Sequence, residues 1–267
     1  MALKLYHSPY STCSQKVRLV LHEKELAFES IEISFRKQEH LTAQYLKLNP
    51  NGVLPTLLHN GNPIIDSSCI IEYLDEVFPA RSLSPPDALG RANMRAWMRF
   101  CEEVPTAAVR TPSFEQIFLP SLRVIQGKKK FDKAAQQRTL RKGFYESMNS
   151  GKGFEEKDVV ESVRGLSQTA ARMHDALADS QWILGGTPTL VDFVLLPLID
   201  RIDDLGMSFL WADHPPVQDW LDRMRSRPSY IKAFYKGSRL SERLEFKLAF
   251  SLAQTKRQRF KSAMSGA

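Results

Sequence analysis

Cysteine is scarce in this sequence of 267 residues, and long apolar runs are missing. The three cysteines, Cys13, Cys69 and Cys101, are odd in number and widely spaced, which argues against a disulfide framework and against a zinc-ligand cluster. No run of about 18 apolar residues suggests a membrane span, and the N-terminus lacks the apolar stretch of a signal peptide. We therefore expect a protein of the reducing cytoplasm with no metal ion and no membrane anchor.

The positive charge of the chain is concentrated late in the sequence. The net charge is +7, and residues 241–267 alone carry six basic and two acidic side chains. Basic stretches at 128–130, 138–142 and 256–261 are the places where nucleic acid would bind. No recognition motif or basic strand interleaved with aromatic residues accompanies them, so we favour a solvated helix face or a loose tail. We expect no nucleic-acid partner.

The first 80 residues alternate between strand and helix patterns. Periodicity predicts strands at 3–6, 28–33, 56–59 and 63–65 and helices over 14–24, 40–48 and from Ser67 to before Pro79. Asn60-Gly61, between the last two strands, is the signature of a two-residue hairpin. Because β-α-β units cross over right-handed, this order implies a four-stranded mixed sheet with helices on its faces. Residues 1–80 are therefore predicted to form an α/β thioredoxin-like domain.

Only helical patterns follow the linker at 81–88, which is rich in proline and serine. They predict an all-α helical-bundle domain over 89–240, followed by a basic C-terminal extension at 241–267. Three stripes of apolar residues at helical spacing support this, at 94–101, 159–177 and 217–224.

The segment 189–202 is apolar on nearly every side, which predicts the central helix of the bundle. Thr189 and Asp192 at its start fit a capping box, and Pro197 is expected to kink it. The pattern weakens over 112–158, which suggests a long irregular excursion or a lid. A short helical pattern at Leu244, Leu248 and Leu252 is expected to decay into the basic tail.

Ser11-Thr12-Cys13-Ser14 opens the first helix and is the candidate for chemistry. Unpaired N–H groups and the positive end of the helix dipole favour an anion there, and a nearby hydroxyl can donate a hydrogen bond to a thiolate sulfur. A free thiol has a pKa of about 8.5, so lowering this pKa by one or two units makes most of it a nucleophile. The alternative is that Ser11 or Ser14 is merely an N-cap.

Three further features suggest a groove for a short peptide. Val53-Leu54-Pro55 places a proline before a strand, where a cis bond would turn the backbone of Leu54 outward to pair with an extended peptide. Asp66-Ser67 opens the third helix and could hold the ammonium and carboxylate groups of an amino acid. His40 is a candidate for a second carboxylate of the same ligand. Each feature alone also fits an ordinary turn, cap or surface side chain.

These segments resemble the cytosolic glutathione transferase superfamily. Ser11-Thr-Cys-Ser-Gln-Lys-Val-Arg looks like the Ser-Ser-Cys-Ser-x-Arg-Val-Arg motif of zeta-class enzymes, which implies that Ser11 activates the glutathione thiol. Leu54, before the family's cis-proline Pro55, would pair with the cysteinyl backbone, and Asp66-Ser67 would hold the γ-glutamyl group. His40 stands where zeta and phi classes place a Gln or His that contacts glutathione. The resemblance also implies glutathione as cosubstrate and a homodimer.

Parts of the chain also resemble three narrower groups of proteins. The Arg-Lys-Gly-Phe near residue 142, the long insertion and the basic tail are similar to bacterial β-etherases of the LigF type, which use glutathione to cleave aryl ethers of lignin dimers. Ser-Gln-Lys-Val-Arg-Leu-Val also resembles ganglioside-induced differentiation-associated proteins. The Ser-x-Cys pair is similar to that of glutathione-dependent reductive dehalogenases.

Three functional hypotheses follow. In the first, Ser11 stabilises the glutathione thiolate for attack on an electrophilic, aromatic substrate. In the second, Cys13 is the nucleophile and forms a mixed disulfide, against the alternative that it is a small buried apolar residue. The third is a non-catalytic glutathione-binding protein. Candidates for lining the substrate pocket are Tyr10, Trp97, Phe100, Phe114 and Phe118, with core packing as the alternative for Trp97.

Overall fold

The N-terminal domain is built on a four-stranded mixed sheet. The computed structural model describes residues 2–121, 140, 144–145 and 153–265. The strand order is β2-β1-β3-β4, with β1 and β2 parallel and the other pairs antiparallel. The elements are β1 (Leu3–His7), α1 (Thr12–Glu23), β2 (Glu29–Glu32), α2 (Ala43–Leu46), β3 (Thr56–His59), β4 (Asn62–Ile65) and α3 (Ser67–Val77).

This arrangement confirms the predicted thioredoxin-like topology. Asn60 and Gly61 both have positive φ, 50° and 86°, as a type I′ hairpin requires. The predicted helix over 40–48 is shorter than expected, because a 3₁₀ turn at Glu39–Leu41 precedes α2. The predicted start of the first helix at Ser14 is wrong: α1 begins at Thr12, since Ser11 already caps it.

In the described part of the second domain, every regular element is a helix. After α3, a 3₁₀ turn at Pro79–Arg81 leads into the predicted linker. The helices are α4 (Ala88–Glu103), α5 (Pro105–Ala108), α6 (Arg110–Ser113), a π-helical turn (Phe114–Phe118), α7 (Glu156–Leu177), α8 (Leu190–Asp204), α9 (Pro215–Arg225), α10 (Pro228–Ala233) and α11 (Lys247–Ser265), with short 3₁₀ turns at Ser208–Trp211 and Leu244–Phe246.

Helix α8 is the predicted central helix of this domain. Every residue of α8 except Asp203 is buried, including Pro197. The predicted capping box is present, with the Thr189 side chain accepting from the N3 backbone and Asp192 accepting from the Thr189 backbone N–H. The kink expected at Pro197 stays a prediction.

Two expectations about irregular structure are wrong. The helical path does not end at Pro112 but continues to residue 121, because Pro112 lies in the first turn of α6, where its missing N–H costs little. The C-terminal segment is not a decaying tail: α11 runs to Ser265 and buries Phe260 completely. Most of the expected lid, at 122–139, 141–143 and 146–152, lies outside the described residues.

Helix α1 joins the two domains. It packs against α3 in its own domain and against α8 and α10 in the helical domain. Residues 14–21 are consequently all buried, polar ones included. A helix that is buried on every side must satisfy its polar side chains inside the protein, and those of α1 do so near the predicted site.

Candidate functional site

The sheet register brings three chain segments to one edge of the N-terminal domain. Tyr6, near the end of β1, pairs with Thr56 at the start of β3, and Thr56 pairs with Ile65 at the end of β4. The loop after β1 leads into α1, the loop before Thr56 leads into β3, and Asp66 leads into α3. The predicted site segments before α1, β3 and α3 therefore lie at the same edge.

Ser11 is the N-cap residue of α1. Its backbone is extended, and its Oγ accepts a hydrogen bond from the Ser14 backbone N–H at 3.3 Å. This contact uses a lone pair of the oxygen, so the hydroxyl hydrogen remains, and it has no acceptor among the residues that the structure describes. Capping the helix and donating a hydrogen bond to a ligand are therefore compatible functions of this side chain.

The three cysteines occupy different environments and carry free thiols. Cys13 lies in the first turn of α1 and is half-buried. Cys101 is fully buried, and burial raises the pKa of its thiol to about 12. Cys69 is exposed, on the outer side of the first turn of α3. Of the three, Cys13 alone sits beside Ser11.

The loop before β3 has the expected backbone geometry. The Leu54–Pro55 peptide bond is cis. The Val53 carbonyl accepts hydrogen bonds from the Tyr45 hydroxyl at 2.8 Å and from the Asn49 amide at 2.9 Å, which holds the loop in place. In the part of the chain that the structure describes, no group hydrogen-bonds to the backbone of Leu54. Leu54 therefore offers an unused donor and acceptor at the site edge.

Asp66 and Ser67 form the third part of the edge. Asp66 is the N-cap of α3, and its Oδ1 accepts from the backbone N–H groups of Ser68 at 2.9 Å and Cys69 at 3.1 Å. Its φ of 70° is unusual for a residue other than glycine, and such strain occurs often at functional sites. The Ser67 N–H has no acceptor among the described residues. This N–H is unused, and the Asp66 carboxylate has lone pairs left to accept from a ligand.

Lys16 is a site-edge residue to which the sequence analysis gave no role. Its side chain is 3% exposed, and its ammonium donates to the hydroxyls of Ser67 and Ser68, both at 3.1 Å, and to Glu102 of α4 at 2.6 Å. Burial lowers the pKa of Lys16, but Glu102, Cys13 and Asp66 outweigh it, so the pKa lies above its ordinary value. Lys16 is therefore a buried cation within electrostatic range of Cys13 and Asp66.

An aromatic cluster surrounds Tyr10, the residue before Ser11. The Tyr10 ring lies 5.9 Å from that of Phe35, 6.0 Å from Phe118 and 5.6 Å from Phe246, and the Arg243 guanidinium lies 4.8 Å above it. The cluster therefore joins the loop after β1, the loop after β2, the π-helical turn and the segment before α11.

The predicted pocket residues divide into two groups. Phe114 contacts Phe118 at 5.0 Å and so extends the aromatic cluster. Trp97 and Phe100 instead pair with each other at 5.7 Å and stack under Arg172, 4.2 Å from each ring. Trp97 is 9% exposed, which confirms core packing for this residue. Phe35 and Phe246 were missed, because nothing in their local sequence indicates a long-range ring contact.

His40 lies deeper than expected. Its ring is 1% exposed and meets the Phe35 ring edge-on at 4.9 Å. It is thus connected to Tyr10 through Phe35, and its contact with a ligand stays a prediction. Within the described ranges, no group of three or more His, Cys, Asp or Glu side chains is placed to hold a metal ion, and no helix is long and apolar enough to cross a membrane.

Comparison with known proteins gives the same two-part division. Residues 5–82 match the family model of the glutathione S-transferase N-terminal domain, and residues 115–228 match that of the glutathione S-transferase C-terminal domain. Protein LigF from Sphingobium sp. (strain NBRC 103272 / SYK-6) is 27% identical over 261 residues, which cover 90% of this chain and 95% of that protein.

Two further similarities cover nearly the whole chain. The crystal structure of beta-etherase LigF from Sphingobium sp. strain SYK-6 aligns with a TM-score of 0.75 and 27% identity, over 88% of this chain and 99% of that one. Glutathione S-transferase PARB from Nicotiana tabacum is 26% identical over 238 residues, 88% of this chain and 99% of its own. With both family domains in order, the site at their junction and these full-length relatives, the chain belongs to the glutathione S-transferase family.

Proposed function

We propose that this protein is a glutathione transferase in which Ser11 activates the thiol of glutathione for attack on an electrophilic, aromatic substrate. The observation that carries the proposal is the free hydroxyl hydrogen of the helix-capping Ser11. It lies at the same edge as the unused backbone groups of Leu54 and Ser67. A thiolate beside Ser11 would receive the hydroxyl hydrogen bond and the positive end of the α1 dipole.

The rest of the tripeptide fits the remaining groups of the edge. The backbone of Leu54 would pair with the cysteinyl residue of glutathione as an added strand does. The Asp66 carboxylate would accept from the γ-glutamyl ammonium, and Ser67 would donate to the γ-glutamyl carboxylate. Glutathione is thus the proposed cosubstrate, and Val53 and Pro55 shape the loop that receives it.

The reaction follows from thiol activation and proximity. The thiol proton leaves to solvent, and the thiolate attacks the electrophilic carbon. In an aryl ether, a carbon–sulfur bond forms, the carbon–oxygen bond breaks, and the phenolate leaves and takes up a proton. The aromatic cluster around Tyr10 supports an aromatic substrate, and so does the similarity to beta-etherase LigF.

A substrate panel and two Ser11 variants test this proposal. The panel is a chloronitroaromatic compound, an aryl ether, an α-haloketone and a glutathionyl mixed disulfide. We expect Ser11→Ala to lower kcat/KM for conjugation about a hundredfold, as loss of one preorganised donor does. Ser11→Asp keeps the helix cap but supplies no donor, so it should retain stability and lose the same activity.

The variant Cys13→Ala distinguishes the second candidate function, thiol exchange. The half-buried Cys13 in the first turn of α1, near the Lys16 ammonium, favours this candidate. Its thiolate would attack a glutathionyl mixed disulfide, release the other thiol and be regenerated by a second glutathione, giving glutathione disulfide. If Cys13→Ala abolishes conjugation while Ser11→Ala and Ser11→Asp do not, the assignment to Ser11 is wrong. If glutathione binds but shows no thiolate absorbance near neutral pH, the protein is a binding protein only.

We also infer a homodimer located in the cytoplasm, as the family resemblance implies, with a role in detoxification or aromatic compound catabolism. Light scattering after size exclusion at micromolar concentration tests the assembly: a dimer mass supports it, and a mass of one chain of 30.4 kDa contradicts it.

A further inference from the structure

The hydrogen bonds of Lys16 fix the direction in which Ser67 can donate. An ammonium group has three N–H donors and no acceptor, and Lys16 uses all three, on Ser67, Ser68 and Glu102. The Ser67 oxygen must therefore accept from Lys16, which leaves the Ser67 hydroxyl hydrogen to point elsewhere. No described residue accepts it. This hydroxyl hydrogen thus remains available to a ligand, as does the unused Ser67 N–H.

Glu102 holds Lys16 in this position from the other domain. Its carboxylate accepts from Lys16 at 2.6 Å and from the Ser68 hydroxyl at 2.8 Å, so Ser68 donates to Glu102 and accepts from Lys16. The Lys16 side chain is 3% exposed and that of Glu102 is 34% exposed. Burial leaves Lys16 with little access to water, and the oxygens of Ser67, Ser68 and Glu102 replace water as its hydrogen-bond partners.

We infer that Lys16 is a positioning residue for recognition of the γ-glutamyl carboxylate of glutathione. It orients and polarises the Ser67 hydroxyl, and through Glu102 the helical domain takes part in binding the tripeptide. The inference rests on the proposed function, since it requires glutathione at this edge. A hydrogen bond whose donor is already polarised by an ammonium is stronger than one from a free hydroxyl.

Two glutathione analogues separate this function from a general structural one. Glutaryl-cysteinylglycine lacks the γ-glutamyl ammonium, and 4-aminobutanoyl-cysteinylglycine lacks the γ-glutamyl carboxylate. Dissociation constants for glutathione and both analogues are measured by calorimetry with wild type and Lys16→Met. We expect the substitution to raise the dissociation constants of glutathione and the glutaryl analogue about tenfold. The dissociation constant of the aminobutanoyl analogue should change by less than about threefold. Lys16→Arg, whose group also only donates, should restore part of the loss.

The matched control is Lys24→Met. Lys24, at the opposite end of α1, is as deeply buried as Lys16 and forms an ion pair with Asp75 at 2.7 Å. The Lys24→Met substitution should lower stability without changing the ratio of affinities among the three peptides. If Lys16→Met does not fold, Glu102→Gln gives the same test, with the same carboxylate-selective loss expected.

Three results overturn the inference. If Lys16→Met or Glu102→Gln lowered the affinity for all three peptides equally, Lys16 would have a structural role only. If Lys24→Met caused the same selective loss of affinity, that loss would be an effect of general destabilisation. If wild type binds none of the three peptides, the proposed function fails, and the inference fails with it. The first two results leave the proposed function intact.

Discussion

At the scale of single residues, His7 shows how a buried polar group makes stability depend on pH. It is fully buried at the end of β1, where the Arg18 guanidinium donates to its Nδ1 at 3.1 Å and its Nε2 lies 2.7 Å from the Ser30 hydroxyl. Because guanidinium has no acceptor, Nδ1 must be the unprotonated nitrogen. Burial, and then the charge of Arg18, lower the pKa of His7 to about 3.

This predicts a loss of stability in mild acid. An unfolded histidine titrates at a pKa of about 6.5, so between pH 6.5 and 3 the unfolded chain binds one proton more than the folded protein at this residue. The free energy of unfolding should therefore fall by about 1.4 kcal/mol for each unit by which the pH is lowered in this range. His7→Asn keeps an acceptor for Arg18 and does not titrate. Urea denaturation of both proteins at pH 6.0, 5.0 and 4.0 should therefore give a smaller slope for His7→Asn, and equal slopes would contradict the assignment.

The candidate site residues differ in how far the sequence reveals them. Ser11, Leu54-Pro55 and Asp66-Ser67 lie at local signals, namely a helix start, a proline before a strand and a second helix start, so the sequence marks them as candidates, and the family resemblance implies their roles. Lys16 stands in the same motif, but its partner Glu102 is 86 residues away. No periodicity of α1 shows that its polar face will be buried against another domain. The contacts of Lys16 therefore became visible only with the tertiary structure.

At the scale of elements, the period of apolar residues and the turn signals predicted most of the fold. The hairpin at Asn60-Gly61 and the all-buried α8 follow directly from these patterns. The helical turns through Pro112 and the long α11 do not. In α11 the exposed Leu248 and Leu252 form the more conspicuous stripe, 63% and 60% exposed, while smaller residues and Phe260 form the buried one. Hydrophobicity alone points to the wrong face of this helix.

The capping box of α8 carries the prediction at this scale. The four hydrogen bonds to the buried Asp192 carboxylate come from Thr189 N–H at 2.8 Å, Trp220 Nε1 at 2.9 Å, Ile183 N–H at 3.2 Å and the Thr189 hydroxyl at 3.3 Å. Asp192→Ala removes the cap and leaves these donors unsatisfied, so we expect a loss of about 3 kcal/mol in the free energy of unfolding.

The control for Asp192 is the exposed Asp175 on α7. Asp175→Ala should change the free energy of unfolding by less than about 0.5 kcal/mol in the same urea titration. Similar losses in the two variants would show that the box at Asp192 contributes nothing specific. Activity per folded molecule should be unchanged in both variants, since neither residue lies at the site edge.

At the scale of the whole molecule, polar side chains of α1 connect the two domains. Arg18 donates to the Ala233 carbonyl from Nε at 3.0 Å and from Nη2 at 2.9 Å, and Gln15 donates to the Ser238 carbonyl at 2.8 Å. With the ion pair of Lys16 and Glu102, three side chains of α1 thus contact the second domain. The proposed glutathione site on the first domain is thereby fixed relative to the aromatic cluster, to which both domains contribute, as a reaction between two bound substrates requires.

The C-terminal helix completes this arrangement, and its contribution to stability can be measured. Phe260 of α11 is 0% exposed, Lys256 and Arg259 reach toward Glu115 and Glu156, and the segment before the helix places Phe246 against Tyr10. Phe260→Ala should therefore lower the free energy of unfolding by about 3–5 kcal/mol, the usual cost of removing a buried phenylalanine ring. Leu252→Ala, on the exposed face of the same helix, should cost less than about 0.5 kcal/mol. Urea denaturation distinguishes the alternatives, because a loosely attached tail would make the two variants equally stable.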